Sequence, residues 1–464
     1  MASADSAGQA PGLRRDLGKL QGYATIVGTL IGAGIFVVTG EAGGVAGPGV
    51  ILGYVVLAPI ILASSMAYSV YLSTPLGEQP GGAYLHMSRT HGFYFLGYIL
   101  GWLKWVAFMG ALSILTLSLG QYAAVYVPLS PQVIAIAALV TFYIINLVGV
   151  RYFGMAQLGI FLILLVSLLV LVIPGLFAIE GRNLDPFLPF GMSGVVAVLV
   201  PLFFAFLGFE SLAQTAGDTR NSRTSLPRIF AVGVTSAVLL YIVMSLVAFG
   251  ALPYGELAKA QAPMTAAAST YLPFGAAVLV TIGAIAAFIT SFNTALLAPG
   301  RLLYVMAEDR VVPRFLAHIN SRFRTPDVAM TISTAVGIFL LSTKTLGYML
   351  DVALQALFLM YGAHSLTMAL LPYLRPALYA RARLRAPRWL MAGAGIYSAG
   401  WLAYFTYLTL PSVIRLLSIW VGVGIVLYAI ARYMGAREGF DYKHRLVEEW
   451  ADEPPQTAQT RTME

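Results

Sequence analysis

The chain has 464 residues, of which 59% are hydrophobic and 10% charged, with a mean hydropathy of +0.80 and a formal net charge of +8. A soluble domain carries roughly 25% charged residues, so nearly all of this chain is expected inside a bilayer, and its arginines fall in short loops rather than on a nucleic-acid-binding face. There is no cysteine, which excludes disulfides, thiolate nucleophiles and cysteine-based metal sites.

Residues 1–19 are polar, with Arg14, Arg15 and Lys19 ahead of the first apolar run, and read as an N-terminal tail without a cleavable leader. A span needs about 20 apolar residues. By that measure twelve helices follow, near 20–46, 48–74, 92–127, 131–149, 152–177, 194–217, 228–251, 273–303, 326–342, 346–373, 388–409 and 412–433. Pro128 and Pro131 split one long apolar run, and a loop around Pro263 splits another. Of the 28 lysines and arginines, Arg182, Lys259, Lys344 and Arg415 fall on one side, Lys104 falls within a span, and the others fall on the side of the N-terminus. The positive-inside rule then puts both termini in the cytoplasm, in a multi-pass protein of the cytoplasmic membrane. Residues 434–464 read as a polar cytoplasmic tail in which 441–450 form at most a short surface helix.

The first span is interrupted by Gly28, Gly32, Ala33 and Gly34. Glycine weakens a helix by about 1 kcal/mol relative to alanine, and freed backbone groups survive in hydrocarbon only when buried or lining a cavity. The sixth span has a second fragile point, where Gly208 sits among Phe203, Phe204, Phe206 and Phe209 and is followed by Glu210. Spans one and six open two halves of five helices each, 20–177 and 194–373. Five is odd, so the halves enter from opposite faces as an inverted repeat, with 388–433 added behind them. Interrupted helices at matching places in inverted halves point to a transporter binding site. Around the first break, Ile31 and Gly32 end one half-helix, and the amides of Ala33, Gly34 and Ile35 open the next. Those amides lie at a positive dipole end and suit a carboxylate. Carbonyls at the open end of the first half-helix and in helix 6 suit an ammonium group. A branched side chain at Gly34 is expected to fill the space those amides face. Taken alone, the glycines also fit close helix packing.

The motifs resemble a known family. Gly28-Thr29-Leu30-Ile31-Gly32-Ala33-Gly34-Ile35-Phe36, Pro80-Gly81-Gly82-Ala83-Tyr84, Phe204-Ala205-Phe206-Leu207-Gly208-Phe209-Glu210-Ser211, the pair Asn221 and Pro227, and Arg301 with Ala307-Glu308-Asp309 and Pro313 are similar, in that order, to motifs of the amino acid–polyamine–organocation transporters. The resemblance implies a LeuT-like all-α membrane fold with helices 1 and 6 unwound, and a substrate amine near the carbonyls of Leu30, Phe204 and Leu207. Locally the chain is most similar to the arginine–agmatine type of antiporter. It departs from them at Ala33, where they have serine, and at Phe204, where they have tryptophan. Lys104 stands where they have a pocket tyrosine. Proton-coupled relatives carry a lysine in helix 5, and this chain has none over 162–167.

Lys104 and Glu210 are the ionisable residues nearest the middle of spans, and such residues mark function and a partner. Lys104 lies roughly 16 Å along its helix. Snorkelling is the plainer reading of the lysine, and capping of the second half of helix 6 the plainer reading of the glutamate. If they share a cavity they cancel, which favours a neutral amino acid. An unpaired Glu210 favours a cationic amino acid or polyamine instead. Phe204 and Tyr98 are candidate gating aromatics, and His364 reads as a packing or hydrogen-bonding residue. Thr290, Ser291 and Asn293 supply oxygens that suit Na⁺ or that bond neighbouring backbone. No resident cofactor or metal is expected, the coupling ion being H⁺ or Na⁺ if there is one. The partners expected are a small amino acid and the bilayer, in a monomer or homodimer. The alternatives are a transporter-fold nutrient sensor and, less compatibly with this set of residues, a membrane enzyme or channel.

Overall fold

The computed structural model describes residues 15–32, 34–124, 127–342 and 346–448, and within them the regular elements are helices, joined by turns and by one isolated β-bridge between Leu17 and Thr219. Of the residues singled out above, Ala33 lies outside the described set, as do Arg14, Lys344, Arg461 and the tail from 449. The helices, in chain order, are α1 (Lys19–Leu30), α2 (Thr39–Ala46), α3 (Val50–Leu72), α4 (Ala83–His91), α5 (Tyr94–Ala124), α6 (Pro131–Val148), α7 (Val150–Phe177), α8 (Gly191–Phe203), α9 (Ser211–Gln214), α10 (Ser222–Ala251), α11 (Tyr254–Leu257), α12 (Pro263–Ser269), α13 (Phe274–Glu308), α14 (Asp327–Leu341), α15 (Leu346–Leu374), α16 (Pro376–Ala380) and α17 (Arg388–Arg437). Among the described residues nine helical segments are long and apolar enough to cross a membrane.

The core follows from which helices turn apolar faces inward. The spans running through α5 and α15 are the most enclosed, whereas most of α6 and α17 is left to the surroundings. An apolar helix bare on its outer face suits contact with lipid, and Tyr407, Ile419, Val426 and Tyr433 of α17 are exposed in this way. Two arginines are buried and paired: Arg89 of α4 meets Asp309 at 2.8 Å, and Arg301 of α13 meets Asp218 at 3.0 Å. Leaving either charge unpaired in such surroundings would be costly.

Two features differ from the sequence expectation. The segment after Pro80, outside the twelve expected spans, forms the helix α4, polar in sequence and buried through Arg89 and His86. Two helices were expected over 388–433, yet a single helical segment runs through Pro411. A straight helix of 50 residues would be about 75 Å long. Both ends of α17 nevertheless meet the same end of the bundle. Arg388 lies over Tyr373, Arg432 lies over Tyr94, and Arg375 donates to the carbonyls of Arg89 and Thr90 between them. The helix therefore folds back on itself, and Pro411, which lacks an N–H, sits where the direction changes.

Candidate functional site

The site begins where α1 stops. Ile31, at φ −75° and ψ 67°, leaves the helix, and beyond Ala33 the chain resumes as a widely wound turn from Gly34 to Val38 that leads into α2. A helix C-terminus leaves its last carbonyls without partners, and here side chains from other helices supply them. The Thr290 hydroxyl donates to the Gly28 carbonyl at 2.7 Å, the Ser291 hydroxyl to the Thr29 carbonyl at 2.9 Å, and the Tyr241 hydroxyl to the Leu30 carbonyl. Tyr241 also lies 2.6 Å from the Ala205 carbonyl, so one hydroxyl of α10 sits between the two breaks.

The second break follows α8. A tight turn over Phe204–Phe206 leads to an extended Leu207 and then to Gly208 at φ +97°, a conformation that favours glycine. The Glu210 carboxylate accepts the Gly208 N–H at 3.1 Å, inside the break, and makes no capping hydrogen bond to the amides of α9. It also accepts the Tyr361 hydroxyl of α15, and Lys104 Nζ of α5 lies 3.0 Å from its other oxygen. Lys104 and Glu210 are each 1% exposed. The lysine does not snorkel: its ammonium rests 5.0 Å over the Phe108 ring and faces the glutamate.

The two breaks and α5 line a small cavity of about 50 Å³. Thr29, Leu30, Gly32 and Gly34 line it from the first break, and Phe204, Ala205, Leu207, Gly208 and Glu210 from the second. Lys104, Ala107, Phe108, Ala111 and Leu115 form the α5 wall, with Ser291, Ala295 and Leu357 opposite. Apart from the Lys104–Glu210 pair and the hydroxyls of Thr29, Ser211 and Ser291, the side chains on this wall are apolar or absent.

Some expected residues lie elsewhere. Ile31 and Ile35 are buried but are not among the lining residues. Tyr98 turns away from the cavity and donates to the Gly424 carbonyl of α17. Leu30 and Phe204, two of the three carbonyls expected to receive an amine, already accept hydrogen bonds, from Tyr241 and from the Leu207 N–H. The expectation for Gly34 also changes. A Cβ built there would lie 2.1 Å from Ala205 Cα, so the missing side chain lets the two breaks touch rather than keeping ligand space open.

Thr290, Ser291 and Asn293 do not gather around one point. The first two spend their hydrogens on α1 carbonyls, while Asn293 donates to Gln157 at 2.8 Å and accepts from Asn146 at 2.7 Å. Gln157 of α7 in turn donates to the Thr290 carbonyl at 3.1 Å. Among the described residues no group of three His, Asp or Glu side chains is arranged to hold a metal ion. Sequence reasoning missed Tyr241, Tyr361 and Gln157. For Gln157 a signal was present, since an amide within an apolar run needs a buried partner.

Many apolar spans, two broken helices and a largely apolar cavity between them define a multi-pass membrane carrier. The chain belongs to the amino acid permease family, whose model matches residues 17–435. It is an amino acid transporter and not an enzyme. Among similar proteins, the branched-chain amino acid permease BcaP of Bacillus subtilis (strain 168) is 26% identical over 340 residues, covering 68% of this chain and 72% of that protein. The methylthioribose transporter of the same organism is 27% identical over 431 residues, covering 87% and 90%. The chloroplastic cationic amino acid transporter 9 of Arabidopsis thaliana is 28% identical over 326 residues, covering 63% and 55%.

Proposed function

We propose that this protein is a secondary active transporter that moves neutral, apolar amino acids across the cytoplasmic membrane by alternating access, with both termini in the cytoplasm. The observation that carries the substrate class is the Lys104–Glu210 pair at 3.0 Å in the cavity wall. An anion alone would draw a cationic side chain, and the ammonium beside it cancels that attraction. The remaining wall, from Ala107, Phe108, Ala111, Leu115 and Leu357, suits an aliphatic side chain. The half-helix that begins at Gly34 presents a positive dipole end suited to the substrate carboxylate. The likeness to a branched-chain amino acid permease points the same way.

The twelve-span topology is part of this reading. The segments Lys19–Leu72 and Arg388–Arg437 are each long enough for two crossings, and the shorter apolar helix Asp327–Leu341 adds one to the single spans. Helices over 20–177 and 194–373 then form the inverted halves, each opening with a broken helix. Gln157, seated between the Thr290 carbonyl and Asn293, supports a carrier that does not place Na⁺ there.

Counterflow in proteoliposomes tests the reading. Labelled leucine or valine should exchange against unlabelled neutral amino acids and not against arginine or putrescine. Stronger exchange with the cationic compounds would overturn the substrate class. Absence of counterflow with every amino acid would favour a sensor over a carrier.

A further inference from the structure

A second cluster of buried titratable groups lies next to the cavity and takes no part in the function above. His364 stands one turn beyond Tyr361 on α15, and its Nε2 lies 3.0 Å from Nδ1 of His86 on α4. The two rings are stacked at 5.1 Å, with Tyr71 stacked on His86 at 4.6 Å and Tyr68 against His364 at 4.3 Å. His86 and His364 are 1% and 0% exposed. His364 Nδ1 and the Tyr68 hydroxyl are both fully buried and have no hydrogen-bond partner. Buried polar atoms are almost always partnered, and histidines within transmembrane bundles recur in proton paths.

The surroundings of the pair are specific. Tyr68 and Tyr71 face it from α3, and the Lys104 ammonium acts on His86 from α5. Tyr361 packs against Tyr68 and bonds Glu210, so the pair sits one aromatic layer from the Lys104–Glu210 charges. On α4 itself, Arg89 is held by Asp309, and His91 faces Thr367. The N–H···N contact joins α4 to α15 and is lost when both facing nitrogens carry protons.

We propose that His86 and His364 form a proton-binding site that is filled when α4 separates from α15, so that protons favour the conformation opened at the Arg89 end of the bundle. The proposal rests on the alternating-access reading, which requires one end of the bundle to open. Burial and then the Lys104 charge push the His86 imidazole down to about 3 while α4 packs on α15. In water it would titrate near ~6.5. A group that binds protons more readily in the open form draws the equilibrium toward that form as pH falls. For one histidine so exposed, the open-to-closed ratio rises about tenfold between roughly pH 8 and pH 5.5.

The chain has no cysteine, so a single reporter thiol is easily introduced. Ser88 lies on α4 and is 0% exposed. In the full-length Ser88→Cys protein, maleimide labelling is measured at each pH and normalised to the unfolded protein at that pH. We expect normalised labelling to rise about tenfold between pH 8 and 5.5. The rise should vanish when His86→Gln or His364→Gln is added. A merely structural pair would raise labelling equally at all pH values. A flat profile in Ser88→Cys, or an unchanged slope in both glutamine variants, overturns the proposal. Labelling needs no substrate, so leucine counterflow by the same protein decides the transport reading separately.

Discussion

Lys104 and Glu210 neutralise each other at 3.0 Å in the cavity wall, α5 supplying the cation and the break after α8 the anion. Removing one partner of a buried pair costs about 3–5 kcal/mol, because the other charge is left uncompensated. Lys104→Ala and Glu210→Gln should each lower the unfolding temperature in detergent, and a Lys104→Met/Glu210→Gln double variant should lower it less than either single change. In Lys104→Ala the unpaired carboxylate should also shift transport toward cationic substrates or make it more pH-dependent. Parental melting and parental transport in Lys104→Ala at every pH would show that the pair matters little.

Gly34 is the point at which the two breaks touch. A methyl group there would meet Ala205 Cα at 2.1 Å and Ala205 Cβ at 2.4 Å. Neither atom can swing aside, since one belongs to the backbone and the other is fixed to it. Gly34→Ala should force the breaks apart, cost about 1–3 kcal/mol as other overpacked sites do, and abolish counterflow in a protein that still elutes as a single species. Normal counterflow would mean that the breaks can separate without consequence.

Sodium should be dispensable. Gln157 donates to the Thr290 carbonyl and, at 3.4 Å, to the Thr294 hydroxyl, filling the region between α1 and α13 with an amide. Replacing Na⁺ by choline should leave leucine uptake unchanged. Gln157→Glu exchanges a donor for an anion and should make uptake respond to Na⁺. Sodium dependence in the parent would contradict this assignment.

Asp309 gives a pH prediction. Burial raises its carboxyl pKa, but Arg89 and Arg445, with a hydrogen bond from Tyr84, outweigh burial and hold it below its ordinary value. Its stabilisation is therefore complete above about pH 4, the unfolded value, and is lost as the pH falls through the lower folded value. The parent should melt at a constant temperature from about pH 8 to 5 as far as this group is concerned, and less stably in stronger acid. Asp309→Asn should be destabilised already at neutral pH, by about 3–5 kcal/mol, and should lack that part of the acid loss. Equal melting of the two proteins at pH 7 would remove Asp309 from the account.

The parts that were legible in the sequence share a cause. Glycines at 28, 32, 34 and 208 are costly in apolar helices, and Lys104 and Glu210 are costly in hydrocarbon, so each stood out against its surroundings. Tyr241 did not, because it is one of 25 tyrosines and its role depends on two carbonyls far away in the chain. α4 was missed because it is short and polar, and its burial rests on the partnership of Arg89 with Asp309. The reversal of α17 at Pro411 was located, but a loop was expected where a single helical segment continues.

Tyr241 has one hydrogen and two carbonyl neighbours, Leu30 and Ala205. It can satisfy only one of them at a time, so the two breaks share a single movable donor. An ammonium group arriving at either carbonyl would release the hydroxyl to the other by rotation about one C–O bond. Under the proposed function, occupancy at one broken helix would be communicated to the second without any backbone displacement.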